Sequence, residues 1–235
     1  MKSFFVILFV ALISVENIHA QQSLIPDSSL VSHIADSRIK TASAEYSVSI
    51  RDSIIRKVKD SLKWDKAKKI AQYPLIKNSE WSLALPVSGV TERIDPAMKY
   101  KLLFAMEVWG RDSASKTKIN EGLAEIGRII NLHIAAGVPK ENLELAIVIH
   151  GAPMNVYLKN EVYQKKFKTN NPNLDILKQF IDIKTNLIAC GQAEIYFNMP
   201  ASDMIPEVKT AYSAKVALST YQLKGYVLFN IEEEK

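Results

Sequence analysis

The sequence predicts an α/β protein: a three-layer, mostly parallel sheet flanked by helices, preceded by an N-terminal helical extension. Three observations predict it. Short apolar runs recur in the second half of the chain. The clearest is Leu143 to His150 (LELAIVIH), whose three consecutive β-branched residues, Ile147 to Ile149, suit a central strand covered on both faces. Between these runs lie stretches with apolar residues at helical spacing. Gly and Pro stand at the junctions, where helices stop and turns begin. Strands alternating with helices imply right-handed crossovers between parallel strands.

Composition sets the outer limits. The chain has 235 residues, 48% of them hydrophobic and 23% charged, enough to bury a core and far from a disordered composition. A single cysteine excludes an intrachain disulfide framework and any multi-cysteine zinc or iron–sulfur site.

Residues 1–20 read as a secretory signal peptide. Lys2 supplies the positive start, Phe4 to Val15 is an unbroken apolar run, and Ala20 is a small residue at the expected cut. The run is too short to cross a hydrocarbon core of about 30 Å as a helix, which favours cleavage over the competing reading of an uncleaved membrane anchor. The expectation is an exported, periplasmic or secreted protein starting near Gln21. Residues 21–98 are expected to hold a Ser-rich leader, a basic amphipathic helix over 46–72 and a turn-rich linker, with Trp81 to Leu85 as a short strand. The net charge of +5 is concentrated in residues 51–70, where eight basic side chains, among them Arg56, Lys57, Lys59 and Lys63, meet three acidic ones. Ile54, Ile55, Val58, Leu62 and Trp64 give this helix an apolar side, so the basic residues read as its solvated face. Neither nucleic-acid binding nor membrane association is expected.

Residues 99–235 form the predicted α/β domain. Tyr100 to Trp109 reads as the first strand. Asp112 or Ser113 is the expected cap of a helix over 115–136, striped by Ile119, Leu123, Ile126 and Ile130 and stopped by Gly137 and Pro139. Leu143 to His150 follows, then helices over 153–167 and from Asn171-Pro172, the latter with Leu174, Leu177 and Ile181 on one face. Thr185 to Cys190 is a further strand, helices are expected near 191–199 and 208–223, and Tyr226 to Ile231 closes the sheet.

The carboxyl ends of parallel strands share one edge, and ligands bind in the crevice there. Trp109-Gly110, His150-Gly151 and Cys190-Gly191 end three predicted strands and should meet at that edge. Cys190 is the candidate nucleophile, because a following helix N-terminus favours the thiolate. The competing reading is a small buried apolar residue. His150 can orient or deprotonate a ligand or stabilise a nearby thiolate; alternatively it is a structural histidine bonded to a loop carbonyl. His33 and His133 have no partners at metal-ligand spacing. The sequence contains no GxGxxG, Walker-type loop or GxSxG, so neither a metal nor an organic cofactor is implied. Asn171-Pro172-Asn173 reads as a turn and cap.

The ordered pieces YKLLFAMEV, NLHIAAGV, ENLELAIVIHG, NPNL, ACGQ and YQLKGYVL, spread over residues 99–231, resemble the DsrE/DsrF-like (YchN-like) family. They are most similar to its exported branch, in which a signal peptide and an extra segment precede the domain. The resemblance implies trimers or hexamers and a sulfur relay in which a cysteine carries a persulfide between a donor and an acceptor protein. It places that role at Cys190 in ACGQ, with His150, Gly151, Gly191 and Gln192 as binding neighbours. The segment Ala193 to Met199 is bulkier than its counterpart in such relatives and is expected to narrow or cover the pocket. The functional expectation is a carrier acting through Cys190 rather than a turnover enzyme. The alternative is a small-ligand-binding or assembly module with a buried, inert Cys190.

Overall fold

A computed structural model describes residues 44–77, 79–107 and 114–232. The expected signal peptide, most of the leader, Trp109-Gly110 and the Asp112/Ser113 cap lie outside the described residues. The chain divides into two compact units, residues 1–67 and 68–235. Helix α1 (Ala44–Ile70) carries the described part of the first. Its Arg56, Lys57, Lys59, Lys63 and Lys66 are exposed, while Val58 is buried and Ile54, Ile55, Leu62 and Trp64 are half-buried. These five basic side chains are thus solvated. Among the described residues, no helix is long and apolar enough to cross a membrane.

The second unit is built on five parallel strands: β1 (Tyr100–Met106), β2 (Leu143–Ile149), β3 (Asn186–Cys190), β4 (Val208–Ala211) and β5 (Val227–Ile231). Their spatial order is β4-β3-β2-β1-β5. The chain steps outward from β1 to β4 through α2 (Glu121–Ala135), α3 (Asn160–Phe167), α4 (Leu174–Asp182) and α5 (Gly191–Tyr196). Helix α6 (Ala214–Leu223) then returns across the sheet, packing on β1, β2, β4 and β5. Right-handed crossovers travelling in opposite directions put α2 and α6 on opposite faces. The β1 and β2 burial patterns run to completely buried tips, as double-sided covering requires.

The predicted strands and helices recur with shifted ends. Strand β4 was expected as helix: residues 208–211 belong to a strand, and the helix expected from 208 starts at Ala214, capped by the Ser213 hydroxyl, which accepts from the Val216 N–H. An edge strand is half wet, so Val208-Lys209-Thr210-Ala211 has no apolar run to announce it. Residues 81–85 are no strand; a 3-10 turn at Glu80–Ser82 precedes a single antiparallel bridge between Gln72 and Ala84. The first long helix starts at Glu121, capped by Asn120. Three of its four expected stripe residues, Leu123, Ile126 and Ile130, are completely buried on the helix, while Ile119 is half-buried ahead of it. On α4 the buried face is Ile176, Leu177 and Phe180, with Leu174 and Ile181 at its margins. The span expected as one helix over 153–167 is a 3-10 segment, Ala152–Tyr157, followed by α3.

Buried asparagines fix the connections. Asn131 of α2 makes four hydrogen bonds to the segment before β1: its Oδ1 accepts from the Leu75 and Ile76 N–H groups, and its Nδ2 donates to the Ile76 and Ser82 carbonyls. Asn171 Nδ2 donates to the Val156 and Leu158 carbonyls, its Oδ1 accepts from Asn173, and the Asn173 Oδ1 accepts from the Asn120 N–H. The expected Asn-Pro-Asn turn is therefore a buried brace between the starts of α2 and α4, not a side-chain cap of its own helix.

Candidate functional site

The parallel register lines up the strand tips. Met106 lies opposite Ile149, so the next residues, Glu107 and His150, sit side by side. Ile149 lies opposite Ala189, which makes His150 and Cys190 the following pair; Cys190 in turn lies opposite Ala211. Neighbouring strands are about 4.8 Å apart. The row at the carboxyl edge therefore reads Glu107, His150, Cys190 across three adjacent strands.

Alternation gives the face. Phe104 packs on Phe229, whose ring also meets His133 of α2, so Phe104 points toward α2. Glu107 is three residues on and points the other way. Ile147 and Leu187 lie in the Phe104 row, and His150 and Cys190 are each three residues beyond them. All three side chains belong to the α6 face. The inward residues of α6 are small, Ala214 and Ala217, which lets that helix lie close to the sheet.

His150 Nε2 is 2.6 Å from a Glu107 carboxylate oxygen, and the two side chains are 38% and 64% exposed. The expected alternative of a histidine bonded to a loop carbonyl gives way to an imidazole–carboxylate pair. Glu107 was not foreseen. Its signal was present: a lone acidic residue directly after the buried run that ends at Met106. Its backbone N–H donates to the Ile231 carbonyl of β5, which fixes the tip of β1. Gly151 takes φ 73 and ψ −153, a conformation for glycine, and turns the chain sharply away after His150.

Cys190 closes β3 and stands at the N-cap of α5, with its thiol making no capping bond. The residue is 6% exposed and belongs to the buried core. Helix α5 has only six residues and carries Glu194 in its first turn, so it offers less to an anion than a full helix N-terminus does. Gly191 is required by packing: a Cβ there would stand 2.8 Å from the Ala211 carbonyl oxygen. Gln192 is exposed and donates to the Tyr212 carbonyl at 3.4 Å, on the β4 side, away from His150. The structure thus brings His150, Gly151, Cys190 and Gly191 to one edge and leaves Gln192 at its flank.

In the bulky segment after Gly191, Ala193 and Met199 are buried in the core cluster that contains Cys190. Ile195 and Tyr196 are 81% and 82% exposed. A concavity of about 930 Å³ lies at the other end of the sheet, between residues 85–96 and the last turn of α2, lined by Leu85, Val87, Val90, Ile94 and Leu132. It contains none of the row. Among the described residues, no cluster of His, Cys, Asp or Glu has the arrangement of a metal site.

Comparison with known proteins adds the family. No curated protein matches the chain. A solved structure of a protein of unknown function from Methanobacterium thermoautotrophicum is similar at 15% identity and a TM-score of 0.40, over 56% of this chain and 98% of that one. Residues 119–231 match the model of the DsrE/DsrF-like family, a span that runs from the threshold of α2 to the end of β5 and contains His150, Cys190 and Gln192. Over residues 119–231, the parallel α/β domain is therefore DsrE/DsrF-like.

Proposed function

We propose that this protein is an exported sulfur carrier in which Cys190 accepts a sulfane sulfur as a persulfide and passes it to a partner thiol. One observation carries the reading: the lone cysteine is the last residue of β3, on the edge where parallel α/β sheets bind ligands, in register with the histidine that directly follows the next strand. The Cys190 thiolate attacks the terminal sulfur of a donor persulfide, R–S–SH. A new S–S bond forms on Cys190 while the donor's S–S bond breaks, and the donor leaves as a thiolate that takes up a proton. Electrons balance without an oxidant, and no cofactor is needed. Delivery repeats the step with the acceptor's thiolate attacking, so the protein is a carrier rather than an enzyme with its own turnover.

Export is part of the reading and rests on Lys2 followed by the apolar run Phe4 to Val15. The intact mass of protein expressed with its leader reports it: removal of residues up to Ala20 supports export, and a full-length product counts against it. Self-association is also part of it, supported by exposed Ile195, Tyr196 and Tyr212 beside the unpaired edge of β4.

A specific observation favours a second reading. Cys190 is buried, as suits a small-ligand-binding or assembly module with an inert thiol. Incubation of folded protein with a persulfide donor separates the two. The carrier gains the mass of one sulfur atom, loses it to reductant, and gains nothing as Cys190→Ser. The module gains nothing in either form.

A further inference from the structure

We infer that Glu107 is a positioning residue: it holds the His150 imidazole as the group that takes the Cys190 proton and returns it to the departing thiolate. This deepens the carrier reading and rests on it. The order of the strand tips is the argument. Glu107 directly after β1, His150 directly after β2 and Cys190 at the end of β3 follow one register on one face, so His150 stands between Glu107 and Cys190. The carboxylate engages Nε2. Among the described residues Nδ1 has no hydrogen-bond partner, which leaves the second ring nitrogen for the thiol side.

Chemistry makes the same demand. Cys190 lacks a long helix behind it, so formation of its thiolate needs a base. The S–H proton moves to Nδ1, and the Nε2–H of the resulting imidazolium donates to Glu107, whose charge stabilises the cation. After attack, Nδ1–H protonates the leaving thiolate, which restores the neutral ring. Proton and charge return to their starting places in each transfer.

Among the described residues, the other charged or titratable side chains on elements packed around the row are Tyr157 on the 3-10 segment after Gly151, Glu194 and Tyr196 on α5, Lys209 on β4, and Lys215 and Tyr221 on α6. Glu194 accepts from the Thr210 hydroxyl, and Lys209 donates to Asn186. Both are committed outside the row, which leaves Glu107 as its acidic member.

The test is the alkylation rate of Cys190 in the folded full chain, measured with a small neutral reagent against pH. Relative to wild type, His150→Ala lowers the rate near neutral pH roughly tenfold or more, and its rise with pH is displaced upward. Glu107→Gln moves the profile the same way by less, and Glu107→Asp lies closer to wild type than Glu107→Gln. The exposure of Glu107 keeps its variants foldable, and equal thermal melting confirms it. If Cys190 is labelled and both Glu107→Gln and His150→Ala leave the profile unchanged, the relay is overturned and the carrier reading survives. If the folded wild type is not labelled at any pH, both fall.

Discussion

The two ends of the sheet are built on opposite terms. At the amino end, Asn131 is completely buried and spends all four of its hydrogen bonds on the segment 75–82. At the carboxyl end, the Glu107–His150 pair is half open to water, α5 is one and a half turns long, and Ile195, Tyr196 and Tyr212 are exposed. Buried amides that satisfy backbone groups hold a unique arrangement but have nothing left for a ligand. Exposed imidazole and carboxylate groups contribute little to stability and retain their capacity for proton transfer. The contrast puts the saturated structural bonds at one end and the groups of the proposed relay at the other.

The largest effect expected is at the amino end. Asn131→Leu strands four backbone groups and should destabilise the domain by about 3 kcal/mol or more, read by chemical denaturation. A loss below about 1 kcal/mol would erase the contrast. Next is Gly191→Ala, whose added Cβ meets the Ala211 carbonyl oxygen at 2.8 Å; a loss of about 1–3 kcal/mol follows, because backbone rather than a flexible side chain must yield. Glu107→Gln is expected to change stability by less than about 0.5 kcal/mol, since its partner is solvated. A larger loss would move the pair into the structural half of the comparison.

The smallest effect is confined to alkali. Burial holds the Tyr157 phenol well above its ordinary value of 10.0. The unfolded chain releases that proton first, so this contribution to stability is complete below about pH 10 and declines as the pH rises further. Tyr157→Phe should leave neutral stability nearly unchanged and flatten the alkaline decline. An alkaline decline of the same steepness in Tyr157→Phe would remove Tyr157 as its source.

The fold was legible wherever burial is two-sided. LELAIVIH and TNLIAC announce β2 and β3, and Leu123, Ile126 and Ile130 announce α2. Strand β4 was not legible, because a wet edge strand leaves no apolar run. The register was not legible either, since it depends on how loops of unequal length bring strands together. That is why Cys190 and His150 were visible as separate strand-end residues while Glu107 was missed: its significance comes from a neighbour across the sheet. Residue type could not separate a reactive from a buried cysteine, and the structure places Cys190 both at the edge and under cover.

That double placement makes accessibility the decisive quantity. The rate at which a small thiol reagent modifies Cys190 in the folded protein should be compared with the rate of global unfolding under the same conditions. A carrier must open its edge locally, so modification should run far ahead of unfolding and be unaffected by stabilising the domain elsewhere. Modification that occurs only as fast as the whole domain unfolds would contradict the account and leave Cys190 as a core residue.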